Sequence, residues 1–124
     1  MEKLTETEEQ LMDLIWERGQ LFMKDIIESY PDPKPATTTI ATLLKRMQNK
    51  GFVGYTLMGN SRQYYPLVKK SAYFSKHVNG LIKNFFGSSA MQFASFFTTE
   101  TNLSEKELED LKKIIDNEIN RKKQ

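Results

Sequence analysis

Three prolines within five residues, Pro31-Asp32-Pro33-Lys34-Pro35, mark a stretch of the N-terminal half that cannot be helix. Each proline lacks an amide donor and restrains the residue before it, so the run is a stiff connector between separate elements. Upstream, Thr5 with Glu8 three residues on has the form of a capping box. Leu11, Leu14 and Ile15 then recur at helical spacing, with Trp16 beside them and Met12 on the same side. Gly19 closes the segment, which predicts a helix over 6–18. A short second helix is expected from Met23 to Tyr30, with Ile26 and Ile27 inward and Glu28 outward.

Downstream of the prolines, Ile40, Leu43, Leu44 and Met47 stand at i, i+3, i+4 and i+7 and form one apolar stripe. The opposite side of this third helix, expected from Thr37 to Lys50, displays Thr38, Thr39, Thr42, Lys45, Arg46 and Asn49. Threonines are poor helix formers, and Thr37 is expected to offset part of that cost as an N-cap. Gly51 ends the helix. Phe52–Leu57 and Arg62–Val68 are β-rich runs around Met58-Gly59-Asn60-Ser61, which predicts a hairpin. Three helices followed by a hairpin describe a winged helix-turn-helix, whose third helix enters the major groove while the wing lies along the backbone.

The charge pattern points the same way. Residues 1–32 balance to −6 and residues 100–124 to −1, yet residues 33–99 contain nine bases and not one Asp or Glu. A 67-residue block free of carboxylates suits a surface set against phosphates, where a carboxylate would repel. An acidic protein partner would meet the same block, so a winged helix used as an interaction module is the alternative.

Several function classes are excluded or disfavoured. The chain has no cysteine and one histidine, His77, which rules out a disulfide framework, a Cys–His nucleophile pair and a multi-histidine metal site within one chain. Neither GxxxxGK[ST] nor GxGxxG occurs, so no nucleotide phosphate loop is expected. No cofactor, metal or catalytic constellation is expected, and the protein is not read as an enzyme. The acidic opening MEKLTETEEQ lacks the order of a secretory signal, and no apolar run approaches bilayer length, so the expected address is the cytoplasm without membrane insertion.

Beyond residue 68 the pattern changes. Phe74, Val78, Leu81 and Phe85 repeat at helical spacing; Gly87-Ser88-Ser89 interrupts; Ala90–Phe97 resumes an aromatic-rich helix. After a break at Asn102, Ser104 with Glu107 opens a last helix as a second capping box, with Leu103 and Leu108 placed as its staple. Leu108, Leu111, Ile115 and Ile119 form a narrow seam. Such a tail exposes more apolar surface than it can bury alone, and a second copy of the chain is the economical cover, the alternative being that these helices fold back onto the winged helix of the same chain. The fold class expected is mostly α with a small β-hairpin: a winged-helix DNA-binding domain over 1–68 and a helical dimerisation segment over 69–124.

The order TTIATLLKRMQNKGFV, GNSRQYYPLV, a Phe-rich helix and LSEKELEDLKKII resembles the BlaI/MecI/CopY family of penicillinase repressors over nearly the whole chain. The resemblance implies a bacterial homodimer that binds an inverted-repeat operator on double-stranded DNA and blocks transcription. It also implies a membrane sensor metalloprotease as partner, with cleavage near the dimerisation segment releasing the operator. Thr39, Thr42 and Arg46 match the family's recognition helix. Thr37, Thr38, Lys45 and Lys50 join them as expected DNA contacts, with Asn60, Ser61, Arg62 and Gln63 at the wing. The family's scissile Asn-Phe pair falls on Phe96-Phe97, where Phe is retained and Asn replaced; the two rings also read as core residues. The C-terminal Cys-x-Cys of copper-responsive members is absent.

Overall fold

In a computed structural model the chain is described over residues 2–124. It is mostly helical with one small antiparallel sheet, in the order α1 (Glu6–Arg18), β1 (Leu21–Phe22), α2 (Met23–Ser29), α3 (Thr37–Asn49), β2 (Val53–Met58), β3 (Ser61–Pro66), α4 (Lys70–Phe85), α5 (Ala90–Glu100) and α6 (Glu105–Lys122). Two compact units result, the first ending at Ser75 and the second running from Lys76 to Gln124.

Local chemistry sets the boundaries. The Thr5 hydroxyl accepts from the Glu8 amide at 3.2 Å while Glu8 Oε1 accepts from the Thr5 amide at 2.8 Å, so the expected capping box opens α1. Ser104 and Glu107 repeat the device at α6. Helix α2 stops at Ser29 rather than Tyr30, because Pro31 drives the residue before it into the extended region, and Tyr30 has ψ 149°. The expected cap at Thr37 is corrected: Ala36 is the N-cap, with no side-chain hydrogen bond, and Thr37 is the first helical residue.

The end of α3 is a Schellman turn. Gly51 at φ 82° lets its own amide reach the Gln48 carbonyl at 3.0 Å and the Phe52 amide reach the Met47 carbonyl at 2.9 Å. That turn drives Phe52 into the core. The hairpin that follows closes on Gly59-Asn60, with Gly59 at φ 64° in the position where a two-residue II′ turn needs glycine. Strand β2 begins at Val53 and β3 ends at Pro66, each shifted slightly from the expected runs. A third strand, β1, pairs with β3 through Leu21 opposite Tyr64 and Phe22 opposite Gln63, giving the order β1-β3-β2.

The first unit has one core. Leu11, Met12 and Ile15 from α1 meet Ile26 from α2, the whole α3 stripe, and Phe52, Val53 and Tyr64 from the sheet region. Tyr73, from the start of α4, completes it. Its ring lies edge-on to Phe52 at 5.4 Å and tilted against Trp16 at 5.8 Å. Its hydroxyl accepts from the Leu4 amide at 3.0 Å and donates to Glu9 Oε2 at 2.8 Å. Burial first, and the Glu9 carboxylate second, push its pKa up to about 12. The neutral phenol therefore supports the fold at all pH values below the ordinary 10.0, and that support is lost as pH climbs through about 12. Replacing Tyr73 with Phe strands the Leu4 amide in the core. We expect a loss of about 1–3 kcal/mol in urea unfolding; an unchanged midpoint and slope would show the hydroxyl to be dispensable.

The second unit is different in kind. From Lys76 to Gln124 no residue is buried. Its aromatic contacts are among neighbours: Phe86 lies 5.5 Å from Phe93 and 5.3 Å from Phe96, and Phe93 stacks on Phe97 at 6.1 Å. Asn102, at φ 57°, turns the chain into α6, a conformation Asn tolerates better than most residues.

Candidate nucleic-acid interface

The core stripe of α3 decides what its other side can be. With Ile40, Leu43, Leu44 and Met47 buried, Thr37, Thr38, Thr39, Thr42, Lys45, Arg46 and Asn49 are all exposed. The face carries hydroxyls, two cations and an amide, and no acid. Among the described residues neither Lys45 nor Arg46 has an ion-pair partner, whereas most ion pairs of the chain use other lysines. Thr42 donates its hydroxyl to the Thr38 carbonyl at 2.9 Å, leaving its methyl and oxygen lone pair outward.

Lys50 is placed elsewhere. Its ammonium lies 2.6 Å from Oε1 of Glu8, a carboxylate with no solvent exposure, and only 21% of the Lys50 side chain is exposed. Glu8 Oε2 has no hydrogen-bond partner among the described residues. Burial would raise the Glu8 pKa. Hydrogen bonds from Lys50 and from the Thr5 amide and hydroxyl, with the Lys50 charge, outweigh it and hold the carboxyl below its ordinary 4.5. The Schellman turn aims Lys50 back at α1, and the lysine neutralises a buried charge there.

The wing supplies a second group. Asn60, Ser61 and Arg62 are exposed at its tip and Gln63 is half-buried. The Arg62 guanidinium sits 4.2 Å over the Tyr55 ring, which orients the cation and leaves its charge available. Leu57, directly across the ladder from Arg62, and Met58, across from Ser61, are exposed apolar residues at the same tip. Lys24, at the start of α2, shares a groove with Asn60, Ser61 and Arg62. Sequence patterning did not single it out, because the two-residue strand that docks α2 against the wing leaves no periodic signal.

The exposed tail residues fall as follows. Phe74 packs on Trp16 at 5.9 Å and on Tyr73 at 5.0 Å, yet stays 40% exposed. Val78, Leu81 and Phe85 of α4, and Leu108, Ile115 and Ile119 of α6, are exposed, with Leu111 half-buried. Phe96 and Phe97 lie inside α5 rather than in an open loop, and both remain partly exposed.

The penicillinase repressor family matches residues 4–117, which takes in the α3 face, the wing and the tail together. The chain belongs to that family. Its relatives include the methicillin resistance regulatory protein MecI of Staphylococcus aureus, 27% identical over 114 residues, spanning 91% of this chain and 93% of that protein. The penicillinase repressor of Bacillus licheniformis is 23% identical over 123 residues, covering 98% and 96%. The solution structure of the DNA-binding domain of the repressor BlaI superposes with a TM-score of 0.51 at 25% identity, covering 59% of this chain and 94% of that domain. The first unit of this penicillinase repressor family member is thus a winged helix, the expected fold. Among its described residues no group of three or more potential metal-ligating carboxylates and histidines is assembled, and no helix is long and apolar enough to cross a membrane.

Proposed function

We propose that this penicillinase repressor family member is a cytoplasmic, homodimeric, DNA-binding transcriptional repressor that reads an inverted-repeat operator with two copies of α3. The single observation that carries the proposal is the outer face of α3. It presents threonine methyls and hydroxyls beside two unpaired cations, on a helix whose other side is locked into the core. Thr38, Thr39 and Thr42 meet base edges and phosphates, Arg46 reaches guanine or phosphate, and Lys45 supports it. Thr37 lies at the helix start, within reach of the backbone. Asn60, Ser61, Arg62 and Gln63 hold the flanking backbone. Lys50 is left out of this contact set because its charge is engaged by Glu8.

The dimer contact is assigned to the α6 seam of Leu108, Leu111, Ile115 and Ile119 with Val78, Leu81 and Phe85 of α4, all in the second unit, and to the exposed part of Phe74 at the end of the first. Release from the operator follows cleavage at Phe96-Phe97 by a membrane sensor metalloprotease. A cut there separates α6 from the rest of the chain, which removes half of the assigned contact.

Arg46→Ala tests the reading. Selection of bound fragments from random DNA supplies the operator, and the substitution is then expected to weaken operator binding by about 1–3 kcal/mol while affecting random DNA less. Equal weakening on both would make Arg46 a phosphate contact. Wild-type protein that binds no duplex at low salt would sink the proposal and favour an acidic protein partner.

A further inference from the structure

Beside the hairpin lies a groove of about 470 Å³ whose walls come from two elements distant in sequence. Phe22, Met23 and Lys24 form one side; Asn60, Ser61, Arg62 and Tyr64 form the other. The register of the sheet fixes the two sides together. Phe22 pairs with Gln63 and Leu21 with Tyr64, so Lys24, two residues past Phe22, stands next to the strand that begins Ser61-Arg62. The polar lining residues are two cations, an amide and the hydroxyl-bearing Ser61 and Tyr64, with no carboxylate. The nearest acid in sequence, Asp25, is engaged at the start of α2, where its Oδ2 accepts from the Phe22 amide at 3.0 Å. Lys24 and Arg62 also lack an ion-pair partner among the described residues.

We propose that this groove is a phosphodiester seat, in which Lys24 and Arg62 grip the DNA backbone from two sides, with Asn60 and Ser61 donating to the same phosphate oxygens. The inference rests on the DNA-binding reading given above and adds to it a residue outside both α3 and the wing. Both cations line one groove whose lining residues include no acid, so a bound phosphate meets uncompensated positive charge, and each cation displaces a counterion from the duplex. The Tyr55 ring under Arg62 keeps the guanidinium extended over the hairpin. The seat contains no base-reading geometry, so its contribution is independent of sequence and fixes the register of the protein on the duplex.

The test is the salt dependence of binding by the full chain to a labelled duplex of random sequence. Lys24→Gln is expected to make the slope of log affinity against log salt shallower by about 0.9 for each protomer engaged. Lys24→Arg is expected to restore it, and Lys122→Gln in α6 to leave it as in the wild type. Lys24 is exposed, so the variants should melt as the wild type does, and this is checked by circular dichroism. Inorganic phosphate added at constant ionic strength should weaken duplex binding by the wild type more than by Lys24→Gln; equal weakening of both would remove Lys24 from the phosphate contact and overturn the proposal. A wild-type slope retained by Lys24→Gln, while the wild type itself binds duplex, would refute the seat alone. Failure of the wild type to bind any duplex would remove the DNA-binding reading as well.

Discussion

Lys50→Met is expected to destabilise the protein by about 3 kcal/mol, because it leaves the Glu8 carboxylate in the core with no countercharge. Glu8 has no solvent exposure and its Oε2 already lacks a partner, so the carboxylate has nothing else to turn to. The figure stands at the lower end for a broken buried pair, since Lys50 is itself partly exposed and water reaches its side of the bridge. The pH profile gives a second reading of the same contact. A carboxyl held below 4.5 in the folded chain stabilises it above that pH, and the contribution fades as pH falls through and below it. In Lys50→Met the acid limb should flatten, since a stranded carboxylate gains from protonation. Thermal melts at neutral and acid pH that keep the wild-type spacing would show that the pair contributes little. The double change Glu8→Gln with Lys50→Met should recover part of the loss, as two apolar or neutral partners leave no orphaned charge.

Ile115→Asp is expected to abolish stable self-association and, with it, most operator affinity. Ile115 is 57% exposed in the single chain, between Leu111 and Ile119 on the α6 seam, so the aspartate costs the isolated protomer little. Placed against a second copy, a charge in an apolar seam must be desolvated without a partner. Two linked half-sites gain about 10²–10⁴ in affinity from effective concentration, and separated protomers forfeit it. Sedimentation should show monomer, and anisotropy should show operator binding reduced to near the single half-site level, with residues of the first unit still folded by hydrogen exchange. Unchanged sedimentation and affinity would place the dimer contact elsewhere.

How much of this was legible in the sequence depends on the range over which each signal acts. The α3 stripe and both capping boxes are local, set within one or two turns, and the structure reproduces them residue by residue. The Gly51 stop is equally local. What escaped is non-local. Strand β1 is two residues long and exists only because β3 offers an edge to Leu21 and Phe22. Lys50 reads as one more cation on a basic helix, and only the Schellman turn, acting with a buried acid 42 positions earlier, turns it inward. Tyr73 looks like a neighbour of the Phe74 stripe, yet it sits in the first core, held by contacts to Leu4 and Glu9 that no spacing rule can anticipate. Ala36 replaces Thr37 as cap because the extended backbone after the prolines ends at Ala36, one residue sooner than the hydroxyl pattern suggests, so Thr37 already stands in the first turn.

In the proposed assembly, a tail with no inaccessible side chain ties repression to copy number. On the proposed dimer, the paired population at low abundance follows the square of the number of chains, so halving synthesis lowers it about four-fold. Growth, dilution at division and slow turnover would then tune the silenced gene before any protease acts, and a cell holding little of this protein would start out already partly induced.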